Sequence, residues 1–454
     1  MRTTVVSSAL AALFLAAAPL AGQGFFTNAQ RAGMGGVSLR VDASLSRYNV
    51  AYRAVPPRTI QGGAKASIPI PFGLIQFFKD HPIGNLTNDP LFHPDSARFN
   101  PVELLNLILS PPLFIQVKEP PTPTNDVTFG IGKDLLQVDL GKAQTLIPAE
   151  PFGLAWSSRP ITVEPDFHGV QVGVAMWLHN EVELQLGDSL LALLKDAHPA
   201  RHQTLYNVLG NGLAEGGLAP SVGYSGRVYG NEDRSMYAGV GVHYYLGAAY
   251  GSSTGSGGFT TGDTIFAGAN PVRPDLRATT SYSKWGNSLG HGVGVDAGVA
   301  WVAGPIVFGV GVNDIGATIT WPDTRIDYQR YDTTTVSGSA RGWVTDSTKL
   351  HAETKTKLPV SYLANVIYSL GSSTVGAEVL NNGRGATVHV GAEQRFGPIA
   401  VRGGIARDQR KKVEFGFGGG VRFGPFGFDL GFWTRSNALA DQRAISMATS
   451  LAIY

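Results

Sequence analysis

The sequence predicts an all-β fold: a transmembrane antiparallel β-barrel of about 12 to 16 strands, with some helical loop segments. Three observations predict it. The composition is glycine-rich and charge-poor, no apolar run is long enough for a spanning helix, and the hydrophobic pattern has a period of two.

The chain holds 58 Gly in 454 residues, about 13% against a usual value near 7%. Charged residues make up 15%, against roughly 25% in an average soluble protein. Lys+Arg at 36 nearly cancel Asp+Glu at 34, for a formal net charge of +2. That balance argues against a nucleic-acid partner and against an acidic disordered chain. With no cysteine, disulfides, thiol catalysis and Cys-based zinc sites are all excluded.

The N-terminus reads as a secretory signal peptide over residues 1–22. Arg2 is the positive start, Val5 to Leu15 the apolar stretch, and Ala16 to Ala18 the small residues that follow, with cleavage expected between Ala21 and Gln23. Beyond it no run of 18 apolar residues occurs. The nearest, Leu104 to Ile115, is broken by Ser110-Pro111-Pro112.

Alternation dominates the rest. Val170, Val172, Val174, Met176 and Leu178 are separated by Gln171, Gly173 and Ala175, with Trp177 the exception. Val293, Val295, Ala297, Val299 and Trp301 repeat the pattern, as do Val413, Phe415, Phe417, Val421 and Phe423. Phe426, Phe428, Leu430 and Phe432 oppose Gly427, Asp429 and Gly431. Successive strand residues point to opposite faces, so each segment has one bulky apolar face and one of glycine and charge. The first suits lipid and the second a wet lumen. Membrane lipid is therefore the expected partner of the apolar face.

Three regions break the rhythm: Gly24 to Pro57, Ile68 to Pro123, and Asp188 to Leu213. The third is helical in pattern, with Leu190, Leu191, Leu193, Leu194, Leu205, Val208 and Leu209. Pro101 to Leu109 is also helix-like, with Asn100 placed to cap it and Pro101 in its first turn. A leucine-rich helix in a barrel loop covers the barrel mouth, offers an apolar landing site, or is plain loop packing.

Catalytic motifs are weak. Gly286-Asn287-Ser288-Leu289-Gly290 matches G-x-S-x-G, but an alternating strand follows where a nucleophile elbow needs a helix. His389, Glu393 and Arg395 share a strand face and read as part of a lumen-lining polar ladder, with Asp296, Glu414, Arg422 and Asp429. Gly416-Phe417-Gly418-Gly419-Gly420 lacks the Gly-Lys-Ser/Thr and the helix of a phosphate loop. Arg407, Arg410, Lys411 and Lys412 read as a solvated turn. The chain is expected not to be an enzyme and to hold no metal or cofactor.

Both ends carry family-like motifs. At the N-terminus they are Ala29-Gln30-Arg31-Ala32-Gly33-Met34-Gly35-Gly36-Val37-Ser38, then Asp42-Ala43-Ser44 and Tyr48-Asn49-Val50-Ala51. At the C-terminus they are Val390 to Pro398, Val401-Arg402-Gly403-Gly404, Phe415-Gly416-Phe417-Gly418 and Phe428-Asp429-Leu430. Together they resemble the FadL-like outer-membrane superfamily, which includes long-chain fatty acid transporters, TraF-like and PorV-type proteins. Val41 and Val50 depart from its pattern, standing where an Asp and a Pro would be.

The resemblance implies an outer-membrane barrel of about 14 strands over residues 58–454, with long loops around 68–123 and 188–213. Residues 23–57 would fold inside as a hatch, its motif carried by Gly33, Met34, Gly35, Gly36, Asp42 and Asn49. The transporter branch implies passive uptake of small hydrophobic molecules, which land on a greasy loop and leave sideways or past a rearranged hatch. Leu105, Ile108, Leu109, Leu113 and Phe114 are the candidate contacts. The other branches imply a structural or secretion-associated barrel that docks partner proteins.

Overall fold

The computed structural model describes residues 29–41, 43–56, 66–70, 79, 82, 115–118, 128–132, 134–140, 144 and 151–453, less 232–233, 266–272, 284–288, 333–341, 384, 410 and 437–442. The signal-peptide stretch, Asp42, the Pro101–Leu109 segment, all five candidate loop contacts and Tyr454 lie outside the described residues.

Alternating sequence becomes strand throughout. The strands are β1 (Ala66–Ile70), β2 (Ile115–Lys118), β3 (Thr128–Gly132), β4 (Leu135–Asp139), β5 (Phe152–Val163), β6 (Asp166–Phe167), β7 (Val170–Leu186), β8 (Leu205–Gly230), β9 (Arg234–Thr260), β10 (Arg273–Ser283), β11 (Gly290–Ala303) and β12 (Ile306–Asp332). They continue as β13 (Gly342–Lys357), β14 (Ser361–Leu370), β15 (Ser373–Asn381), β16 (Ala386–Phe396), β17 (Ile399–Arg407), β18 (Val413–Phe423), β19 (Phe426–Ser436) and β20 (Arg443–Ile453). All but the β3–β4 hairpin belong to one sheet of 18 segments, antiparallel at every described pairing.

Four pairs of segments are collinear. β1 and β2 share β20 as partner, β5 and β6 share β7, β10 and β11 run along β9 and β12, and β13 and β14 run along β12. Eighteen segments thus occupy fourteen ladder positions among the described residues. The sheet curls around residues 29–56, which touch strands from the β5–β6 junction to β20. No helix among the described residues is long and apolar enough to cross a membrane.

The two faces separate as the period-two pattern requires. Val388, Val390, Val401, Ile405, Phe415 and Phe417 stand exposed outside, while His389, Glu393, Arg402 and Glu414 are buried inside. Apolar side chains in this number on the outer face suit lipid. Short turns collect at one end, among them Gly397-Pro398 and Gly424-Pro425, where both glycines have φ of 59°. A φ in the left-handed region is cheap only for glycine.

The barrel is lopsided. β15 and β17 have 9 residues, near what a tilted strand needs to cross a bilayer, but β8 has 26 and β9 and β12 have 27. The far half of this flank is small and polar, as in Gly251-Ser252-Ser253-Thr254-Gly255-Ser256. It stands beyond the apolar band, on the side opposite the short turns. A helix, α1 (Asp188–Lys195), caps it. Its Leu193 packs with Val138, Ala200, Tyr206 and Ile265, and with Leu190 and Leu194 beside them.

Two sequence expectations need correction. The helical pattern of Asp188 to Leu213 is helix only to Lys195, and β8 begins at Leu205. Val208 and Leu209 are strand because β8 bonds along β7 and β9 there, and Leu205 because it pairs with Thr260 of β9; tertiary pairing outweighs helical spacing. The loop expected around 68–123 holds strand at both edges, since β1 and β2 extend the ladder on β20.

Candidate functional site

The inner segment is held by a belt of wall glycines. Gly376, Gly391, Gly404 and Gly416 are successive cross-strand partners on β15 to β18, Gly418 pairs with Gly431 of β19, and Gly298 of β11 pairs with both Gly239 of β9 and Gly311 of β12. A Cβ at Gly391 or Gly404 would overlap the Met34 carbonyl, one at Gly431 the Ala29 carbonyl, and one at Gly311 the Tyr48 carbonyl. The belt is where a second backbone lies against the wall. Gly33 and Gly35 meet it from the other side: a Cβ at Gly33 would be 3.1 Å from Gly418 Cα, and one at Gly35 would be 2.7 Å from the Ile405 amide. Gly35 and Gly36 also turn the chain, with φ of 66° and 89°.

Polar contacts lock the segment in place. Arg31 donates to Glu378 Oε1 at 2.8 Å and, through Nε and Nη2, to the Gly36 carbonyl. His389 Nδ1 faces the Gly35 carbonyl at 2.6 Å, so that nitrogen carries the hydrogen. Arg40 donates to Glu393 at 2.8 Å. Glu393 also accepts from Arg395 and Arg402, and Arg402 reaches Asp429 at 2.7 Å, where Gln30 also donates. Asn49 donates to the Val299 carbonyl at 2.9 Å and accepts from the Ala51 amide, capping a 3-10 turn over Val50–Ala54. Tyr52 donates to Asn365 at 2.7 Å, and burial raises its phenol pKa well above the usual tyrosine range, so it stays a donor. Arg53 pairs with Glu164.

The polar ladder expected along the lumen therefore faces protein. Arg422 is the exception: it sits exposed at the end of β18 and donates to the Gly424 carbonyl, because the strand ends there at the short-turn rim. Gly290 opens β11 after the G-x-S-x-G match, with Ser288 outside the described residues. Among the described residues no group of His, Asp and Glu could hold a metal ion.

On the long-loop side of the inner segment two further layers fill the lumen. In the first, Arg159 reaches in from β5, where the ladder to β7 slips between Ser158 and Ile161. It donates to Asp296 of β11 at 2.6 Å and to Asp314 of β12 at 2.5 Å, and to the Tyr245 hydroxyl at 2.8 Å. Tyr245 in turn donates to Asp314. His243 Nε2 lies 2.8 Å from Asp296. Asp314 has φ of 60°, in the left-handed region, a conformation that costs about 1–3 kcal/mol outside glycine. It sits where the β11–β12 register also shifts.

The second layer is aromatic. Trp177 meets Tyr245 edge-on at 5.4 Å, and Tyr250 stacks on Trp321 at 5.2 Å. Trp321 lies flat on Gly247 and Gly290, and Ala219, Ala317, Ile319 and Leu358 complete the cluster. Glu215 stands fully buried among the rings, accepting from Trp321 Nε1 at 3.0 Å, from Thr356, and from His179 Nδ1 at 2.9 Å.

Several solved β-barrels are similar to this chain at low identity and low TM-score. The Pseudomonas putida toluene transporter TodX shares 10% identity, with a TM-score of 0.28 over 69% of this chain and 92% of that one. The Ralstonia pickettii toluene transporter TbuX shares 11%, with 0.27 over 73% and 98%, and a mutant of the Rh. blastica porin shares 11%, with 0.23 over 67% and 100%. No family model matches the chain, and no curated protein matches it. The superposition is loose, and the barrel reading rests on this chain's own ladder, apolar outer face and filled lumen.

Sequence reasoning put Asp296, His389, Glu393 and Asp429 on the lumen face, and they lie there. It missed Arg159, Asp314, Glu378, Glu215 and the four rings. Asn313-Asp314-Ile315-Gly316 does interrupt the alternation of β12, and Arg159-Pro160 interrupts that of β5. Those breaks are the signal that a bulge stands there.

Proposed function

We propose that this chain is an outer-membrane barrel for passive uptake of small hydrophobic molecules, with residues 23–57 as its hatch and passage through the wall. The observation that carries this reading is the inward bend of β5. Its Ser157 amide donates to the Asn382 carbonyl, on the loop after β15, at 2.8 Å. An amide on a fully paired wall strand would bond to its neighbour. At Ser157 it bonds instead to a loop on the other side of the lumen, and Arg159 two residues on does the same through its side chain. Among the described residues β5 and β6 pair with β7 alone, so in this reading the bend provides a lateral edge while residues 29–56 occupy the short-turn half. A molecule entering from the long loops would leave sideways into the bilayer, a route that costs an apolar solute little. The terminal motifs resembling the FadL-like superfamily support the same reading.

The test is uptake of naphthalene by lipopolysaccharide-containing vesicles with and without the purified barrel. A rate above empty vesicles is expected, and equal rates would end the proposal.

A second reading is a barrel that docks partner proteins. The filled lumen and the exposed Phe129 and Ile131 of the outer β3–β4 hairpin favour it. A stable partner recovered with the barrel, together with no uptake, would select it.

A further inference from the structure

We infer that the low rim of the barrel, at the β17–β18 loop, seats the phosphates of an outer-leaflet lipid through Arg407, Lys411 and Lys412. Of the proposed function this uses only the barrel's place in an outer membrane, and it holds whether or not the barrel conducts a solute. On β17 the outer positions run Ile399, Val401, Gly403, Ile405 and Arg407, all of them exposed. Arg407 pairs across with Val388 of β16 and Val413 of β18, which both face outward. The apolar band thus reaches Arg407 and stops there. β17 has 9 residues, just enough for a tilted strand to cross the hydrocarbon, and it starts at the short turn Gly397-Pro398. Short turns of such barrels face the periplasm, so Arg407 stands at the outer leaflet, level with the headgroups. A guanidinium there lays its methylene stem on the two valines and keeps its charge among the headgroups.

From Arg407 to Lys412 the sequence carries four cations and one carboxylate. That carboxylate, Asp408, is buried and accepts from the Lys412 amide at 2.8 Å, while Arg407, Lys411 and Lys412 are exposed. The exposed arginines of the tall flank are matched differently: Arg277 pairs with Asp275, Arg325 with Asp327 and Arg330 with Asp346. No carboxylate among the described residues pairs with Arg407 or Lys411. Lys411 also has φ of 62°. At the left-handed position of the short turns stand Gly304, Gly371, Gly397 and Gly424, which adopt it without strain. The β17–β18 loop keeps an ammonium at that position in spite of the strain. A phosphate suits such a rim, because arginine presents a planar fork to its oxygens and lysine a movable point charge. The commitment to a lipid comes from what lies below: Ile405 and Phe415, paired and exposed, continue the surface downward where acyl chains would lie.

The experiment follows acetylation of lysines on the full-length barrel in detergent, by a water-soluble succinimidyl ester and mass spectrometry. It is run with lipid A, with dephosphorylated lipid A and with inorganic phosphate. Lipid A is expected to slow labelling of Lys411 and Lys412 at least about threefold and to leave Lys355 of β13, paired with Glu353, unchanged. Dephosphorylated lipid A and inorganic phosphate should protect neither lysine. In Arg407→Gln the lipid A concentration for half protection should rise at least about threefold. Labelling unchanged by lipid A, or slowed equally at Lys355, would overturn the inference. Equal protection by dephosphorylated lipid A would remove the phosphates from it, and equal protection by inorganic phosphate would remove the lipid, so either result overturns it as well. Because protection is read on the unmodified barrel, a misfolded variant does not blunt the test, and naphthalene uptake is scored separately from every one of these outcomes.

Discussion

Arg159 at the bulge of β5 and Asp314 at the left-handed residue of β12 hold each other across the lumen, two local irregularities joined by one buried ion pair. Asp314 repays its backbone strain twice, since its carboxylate binds Arg159 and its amide donates to Asp296 at 3.0 Å. Each irregularity persists because the other side supplies its partner.

Removing the cation should expose this dependence. Arg159→Met leaves Asp296 and Asp314 buried without a guanidinium, which costs about 3–5 kcal/mol when one partner of a buried pair is lost. The barrel should unfold at a clearly lower temperature by heat-modifiable gel mobility. Asp314→Asn on the same background should recover part of the loss, because one orphaned charge is then gone.

The glycine belt should tolerate bulk on one face only. Gly404→Val drives a side chain into the Met34 carbonyl, whereas a Cβ added at Gly403, its neighbour on the outer face, would meet nothing within 4 Å. Overpacking of this kind costs about 1–3 kcal/mol or displaces the intruding backbone. A cysteine at position 34 should become reactive to a water-soluble maleimide in Gly404→Val and stay protected in Gly403→Val.

Loosening the Arg31 lock should open the short-turn end. Arg31 and Glu378 are both buried, and Arg31 also closes the turn at Gly36. Arg31→Met should raise single-channel conductance in planar bilayers above that of the unmodified barrel. Unchanged conductance would show that the glycine belt alone seats the segment.

Charge on the outer face should be penalised by height. Val401→Arg, within the apolar band, should cost about 2–4 kcal/mol. Leu350→Arg on the polar extension of β13, also exposed, should change stability by less than ~1 kcal/mol. Urea unfolding of the barrel reconstituted in phospholipid distinguishes the two, and equal costs would move the membrane band.

Likewise, Arg277→Ala should matter little. The Arg277–Asp275 pair on β10 is 71% and 68% exposed, and such pairs contribute at most ~1 kcal/mol. The same unfolding experiment checks it, and the contrast with Arg159 measures what burial adds.

Much of this was legible in the chain. The alternation of Val388, His389, Val390 and Gly391 already states which side each residue takes, because strand geometry leaves two choices and the solvents on the two sides differ. The period-two pattern pointed to strands, and the Gly-rich RAGMGG stretch beginning at Arg31 stood out as chain that lies close to other chain. What the sequence could not determine was partnership. The pairing of Glu378 with Arg31, 347 positions away, depends on how far the sheet curls before its inner face meets the N-terminal segment. Val208 and Leu209 look helical until two neighbouring strands claim their backbone. One-dimensional periodicity assigns a residue to a face. Only closure of the sheet brings distant faces within hydrogen-bonding reach, and so only the tertiary structure decided which charges meet and what fills the bore.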